Sequence, residues 1–254
     1  MRTSVMLRNN CMISKAKNYI EEKLKTQEED GYLGIYQKDL RYMEGVENGE
    51  LWAQATLIRA LFAYYEYTNN KDVLDKIKSA LDLTMRMYAI NESRPFSTER
   101  EQQGICCGGL SHGLAITDVY LELYRITNEK KYLEYCVFLY ESYCQEKNLE
   151  SDITISNLEN DDIQFKCHGV HTYEHLRALT IYSYATGKME FLENYLGALE
   201  KYLNPSGAPT GDEWICSDGA DPTMTGYEYC SIHELLHSYC LLLQVTGMPK
   251  WLIR

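Results

Sequence analysis

The chain has 254 residues, 45% of them apolar and 24% charged, enough to bury a sizeable core without requiring two domains. Its 37 Asp+Glu against 25 Lys+Arg give a net charge of −12, which disfavours binding to phosphate backbones or anionic lipid and excludes nucleic acid and membrane as expected partners. Nine cysteines, an odd number in a chain this long, point to reduced thiols and a cytoplasmic setting. No secretory leader and no apolar run of bilayer-spanning length is evident.

The first predicted element is a helix over Ser14 to Glu28, read as the second half of a helical hairpin. A long loop, Asp30 to Gly49, leads to a helix with the stripe Leu51, Ala55, Ile58, Leu61, Phe62 and Tyr65. Asn69-Asn70 supplies a short turn, and Val73, Leu74, Ile77 and Leu81 mark the helix that follows. This unit recurs. Thr68, Thr127, Thr186 and Thr246 are separated by 59, 59 and 60 residues, and Leu74, Leu133, Leu192 and Leu252 keep the same intervals. Each unit reads as an αα-hairpin with a short internal turn. Long connections run roughly from Ala89 to Gly108, Lys147 to Cys167 and Asn204 to Gly226.

No segment alternates long enough to predict a strand, so the expected class is all-α. The fold expected is an (α/α) toroid of the six-hairpin barrel type, occupying residues 1–254 as one domain and here partial. Six hairpins at this period need roughly 360 residues. The expectation is therefore that the ring is finished past Arg254 or by a partner chain. All four long loops join a second helix to the next first helix, which places them on one rim.

All six histidines, His112, His168, His171, His175, His233 and His237, fall in or at the start of first helices. Glu50, His112, His168, His171, Glu228 and Cys230 therefore map to the rim, where helix N-termini present free N–H groups. Gly211-Asp212-Glu213-Trp214 in the last long loop offers a general acid beside a ring that would raise a carboxyl pKa by desolvation, against the plainer reading of a solvated acidic turn. Glu228 and Cys230 could reach one cation, as zinc accepts carboxylate and thiolate together, although two ligands are not a site. Cys106-Cys107 reads as a buried small pair. His233-Glu234-Leu235-Leu236-His237 matches H-E-x-x-H, but no His, Asp or Glu follows to supply a third ligand, and it reads as coincidence.

The ordered set Asp30-Gly31-Tyr32-Leu33-Gly34, Gly109-Leu110-Ser111-His112-Gly113-Leu114, His168-Gly169-Val170-His171, Gly211-Asp212-Glu213 and Gly226-Tyr227-Glu228-Tyr229-Cys230 resembles the catalytic domain of glycoside hydrolase family 127, the β-L-arabinofuranosidase-like group. The resemblance implies an (α/α)6 barrel that hydrolyses arabinofuranosides with retention, through a zinc-bound Cys nucleophile and a Glu acid/base. It implies Glu213 as acid/base, with the neighbouring Asp212 if the register slips, Glu228 and Cys230 as zinc ligands, and His112, His168, His171 and Trp214 as carbohydrate-binding residues. The family's adjacent Cys pair, including the nucleophile, lies well beyond Glu-x-Cys, whereas only 24 residues follow Cys230 here. Two other readings stay open. One is a non-catalytic carbohydrate-binding or scaffold toroid. The other is a zinc thiol-chemistry toroid resembling lanthionine cyclases, which alone makes Cys167 a ligand.

Overall fold

The computed structural model describes residues 1–98, 108–147, 149–204, 206–209, 215 and 228–247, and among these it contains helices and turns but no strand. In chain order the helices are α1 (Arg2–Met6), α2 (Asn10–Leu24), α3 (Glu50–Thr68), α4 (Lys71–Met87) and α5 (Gly108–Ser111). A 3-10 turn, His112–Ala115, carries α5 into α6 (Ile116–Thr127), and α7 (Lys130–Cys144), α8 (Ile155–Leu158), α9 (Gly169–Thr186), α10 (Met189–Leu199) and α11 (Tyr229–Thr246) follow. The helix expected over Ser14 to Glu28 starts and ends four residues earlier. Asn9 caps it, its side chain accepting the Met12 N–H at 3.1 Å.

The repeated threonine has a structural cause. In each of α3, α6, α9 and α11 it is the last helical residue, and its hydroxyl donates to the carbonyl four residues back at 2.7–2.8 Å. The next residue, Asn69, Asn128, Gly187 or Gly247, turns into the left-handed region and ends the helix. In three of the turns the same threonine oxygen accepts the N–H two residues on, from Asn70, Glu129 and Lys188.

The first helices α3, α6, α9 and α11 pack side by side in that order, and α4, α7 and α10 lie against them as an outer layer. This is the (α/α) toroid arrangement. Helix α9 is central: every residue from Gly169 to Ser183 is buried, so it shows none of the one-sided periodicity of α4. Much of the tyrosine goes into this packing. Tyr120, Tyr135, Tyr140 and Tyr195 are fully buried, and their hydroxyls donate to the carbonyls of Leu81, Tyr88, Ile153 and Thr172. The starts of α3 and α5 meet where Gly109 lies against Asn48 and Gly49, and those of α9 and α11 meet where Gly169 lies against Ser231.

Candidate functional site

The site is built where α9 begins. The segment before it, residues 149–152, is clamped to the helix start by Asp152. Its carboxylate accepts the N–H groups of Lys166 and Cys167 at 3.0 Å and the Thr172 hydroxyl at 2.8 Å. That clamp sets Glu150 against the first turn. The His168 N–H donates to Glu150 Oε1 at 3.3 Å, and His171 Nδ1 lies 2.5 Å from Glu150 Oε2. His168 is the N-cap of α9, and its ring meets that of His171 edge-on at 4.7 Å between centroids.

His112 enters from the 3-10 turn after α5. Gly109 lets that turn come in, since a Cβ there would sit 2.9 Å from the Asn48 carbonyl oxygen. The His112 ring lies edge-on to His171 at 4.2 Å and stacks on Trp52 at 4.4 Å with 17° between planes. Trp52 itself is 42% exposed. His112 Nδ1 donates to Glu174 Oε2 at 2.7 Å, one turn along α9 from His171. His175 donates Nε2–H to the Ser111 carbonyl at 2.8 Å, tying α9 to α5.

Electrostatics keep the central imidazoles neutral. Burial, then the neighbouring His112, lowers His171 to about 3. Burial, then His171, lowers His175 to about 4. Burial works to raise the Glu174 carboxyl, but the His112 hydrogen bond and the Arg177 charge outweigh it and hold it at about 2. Glu174 therefore stays ionised and holds the His112 ring in place through Nδ1.

Beneath this cluster lies an ion network. Arg177, wholly buried, reaches Glu174 at 3.1 Å, Asp118 at 3.2 Å and Glu234 at 2.6 Å. Asp118 also accepts from Arg59 Nε at 3.1 Å. An open cavity of about 650 Å³, lined in part by Arg2, Arg59, Asp118, Arg125 and His237, lies beyond the network and away from the histidine cluster.

Of the residues singled out in the sequence, His112, His168 and His171 come together. Glu228 and Cys230 open α11 beside them. Glu228 accepts from the Ser231 hydroxyl at 3.2 Å, and Ser231 Oγ lies 3.0 Å from where a Cβ on Gly169 would stand. The Glu228 charge reaches His171. Burial, then the hydrogen bond to Glu228, pushes the Cys230 thiol up. Glu50 shares the rim but not the cluster, receiving hydrogen bonds from Tyr32 at 3.2 Å and Gln54 at 2.9 Å. Glu213, Trp214 and Cys106-Cys107 lie outside the described residues.

The fit to zinc is partial. Among the described residues, Glu228 and Cys230 gather no third His, Cys, Asp or Glu donor, so they do not make a zinc site by themselves. The described residues hold one group of three such donors, Glu150, His168 and His171, whose ligand atoms all lie within 4.8 Å of one another. Cys167 is not in it; its thiol is buried against Asp152. The H-E-x-x-H residues do not form such a group either, as Glu234 serves Arg177.

Sequence reading missed Glu150, Glu174, Arg177, Asp118 and Trp52. Two signals could have found the network. His171, Glu174 and Arg177 recur every third residue, on one face of α9. Arg59, Asp118, Arg177 and His237 each stand nine residues before the repeated threonine, so the repeat puts them at equivalent inward positions.

A family model described as "Beta-L-arabinofuranosidase, GH127 catalytic domain" matches residues 3–195. A solved structure, Ara127N-Se, described as a GH127 β-L-arabinofuranosidase from Geobacillus stearothermophilus T6, superposes with a TM-score of 0.73 at 18% identity. The match covers 96% of this chain and 41% of that one, so the chain spans about two fifths of that protein's length. No curated protein matches by sequence.

Proposed function

Because the chain belongs to the GH127 β-L-arabinofuranosidase catalytic-domain family, we propose that the pocket at the starts of α5, α9 and α11 binds an arabinofuranoside-type sugar and serves its retaining hydrolysis. The observation that carries this is the packing of His112, His168 and His171, three imidazoles at 4.2–4.7 Å, against the carboxylates of Glu150 and Glu174. Such a wall accepts and donates to vicinal hydroxyls. Glu174 holds His112 through Nδ1, and Arg177 anchors Glu174 in turn. Trp52 backs the His112 ring and leaves an exposed face for the sugar's apolar side.

In this proposal a cysteine thiolate outside the described residues attacks the anomeric carbon while Glu213, with Trp214 beside it, protonates the departing glycosidic oxygen, and Glu213 then draws the proton from the water that displaces the sulfur. Glu228 and Cys230 keep the place of the family's Glu-x-Cys ligand pair. Two donors do not complete a zinc site, and no step is assigned to a metal. The cytoplasmic setting belongs to the same proposal; the six described cysteines are free thiols.

Non-catalytic carbohydrate binding is favoured by one observation: the Cys230 thiol is pushed up, so by itself it stays protonated near neutral pH. Titration of L-arabinose by calorimetry and assay of an aryl β-L-arabinofuranoside separate the two. We expect saturable binding, weakened about tenfold, roughly 1.4 kcal/mol, in His112→Ala. Turnover that falls in Glu213→Gln supports the enzyme. Binding without turnover leaves the carbohydrate-binding module, and neither binding nor turnover refutes both.

A further inference from the structure

We propose that Glu150, His168 and His171 form a binding site for a single divalent first-row cation of the zinc type, held by two imidazole nitrogens and one carboxylate oxygen. The inference shares His168 and His171 with the sugar-binding reading but does not depend on it. Its basis is the one group of three donors among the described residues, with all ligand atoms within 4.8 Å of each other. In a tetrahedral site with bonds of 2.0–2.2 Å the donors stand about 3.4 Å apart, so closure onto an ion needs a small contraction, within reach of side-chain rotation. Two nitrogens and one oxygen suit zinc or cobalt(II), and leave a coordination position open.

The donors are held before any ion arrives. Asp152 binds the N–H groups of Lys166 and Cys167 and the Thr172 hydroxyl, locking the loop that bears Glu150 to the turn that bears both histidines. The His168 N–H fixes one carboxylate oxygen of Glu150, and the other faces His171. This is the supporting shell that metal sites use to orient ligands. The start of α9 would itself repel a cation. The carboxylates around it offset that: Glu150 as ligand, Asp152 behind, and Glu174 and Glu228 within electrostatic range of His171.

The test uses cobalt(II) and zinc(II) on the full chain without sugar. Cobalt titration is expected to show one equivalent per chain, visible d–d absorption and no near-ultraviolet thiolate band. Cys230→Ser should match wild type, and His168→Ala and Glu150→Gln should bind at least tenfold more weakly, with melting curves confirming that each variant is folded. X-ray absorption of the zinc-loaded wild type needs no variant, and should show only nitrogen and oxygen neighbours with imidazole scattering. A sulfur shell at about 2.3 Å, a thiolate band lost in Cys230→Ser, undiminished binding in His168→Ala, or no saturable binding would each overturn the proposal. Arabinose titration of the metal-free protein reads the sugar pocket separately, so either reading can fail alone.

Discussion

At the scale of single residues, the buried imidazoles dictate how stability depends on pH. His171 and His175 are held at about 3 and about 4, chiefly by burial, whereas an imidazole in the unfolded chain protonates near 6.5. Between those values the unfolded state binds more protons than the folded one, so stability is full above about 6.5 and falls as pH drops toward 4. Each such histidine contributes a slope of about 1.4 kcal/mol per pH unit within its window. Glu174 adds a second limb. Held at about 2, it stabilises the fold above the ordinary carboxylate range and loses that contribution as pH falls through it. Urea midpoints at pH 7 and pH 4.5 check the first limb. His175→Gln can still donate to the Ser111 carbonyl and should lose part of the wild-type slope; an unchanged slope would mean His175 does not carry the titration. The histidines were legible in the sequence because the repeat put all six on first helices. Their partners were not, because Glu150 sits in an irregular loop with nothing in its neighbours to mark it.

At the scale of elements, the hairpin turns are the part of the fold that local chemistry specifies most fully. Gly187 follows Thr186 at φ 77°, and nothing stands within 4 Å of where its Cβ would be. Gly187→Ala therefore meets no clash and isolates the backbone term, an expected loss of about 1 kcal/mol. Thr186→Val keeps shape but removes the hydrogen bond to the Tyr182 carbonyl at 2.8 Å and the acceptor for Lys188, again costing about 1 kcal/mol. Urea denaturation of both variants measures the terms, and a neutral Thr186→Val would show that the repeated threonine is kept for something other than the turn. These turns could be read because threonine followed by Asn or Gly recurs at fixed intervals. Helices α1, α5 and α8 could not. They are four or five residues long, shorter than a helix that forms by its own propensity.

At the scale of the molecule, one buried ion network ties the inner layer together. Arg59 comes from α3, Asp118 from α6, Arg177 and Glu174 from α9, and Glu234 and Ser238 from α11. Asp118 in its own amphipathic helix reads as a solvated charge; only its register with Arg59 and Arg177, one repeat away on each side, gives it an inward place. The alternation of positive, negative and positive charge at equivalent positions is thus a device for joining successive first helices. Arg177 is the centre, with no exposed surface and three carboxylate partners. Arg177→Met removes the one charge that, among the described residues, touches Glu174, Asp118 and Glu234 together, and leaves anions buried without it. The expected cost is about 3–5 kcal/mol, more than the loss of one ion pair at the surface. Adding Glu234→Gln to Arg177→Met removes one of the stranded anions and should recover part of that loss. Hydrogen exchange locates the effect: amides of α11 should lose protection first, since α11 meets the arc chiefly through α9, while the α3–α4 hairpin keeps its own. If Arg177→Met unfolds at the wild-type urea concentration, or if α11 and α4 lose protection equally, the network does not join the inner helices, and apolar packing alone holds the arc.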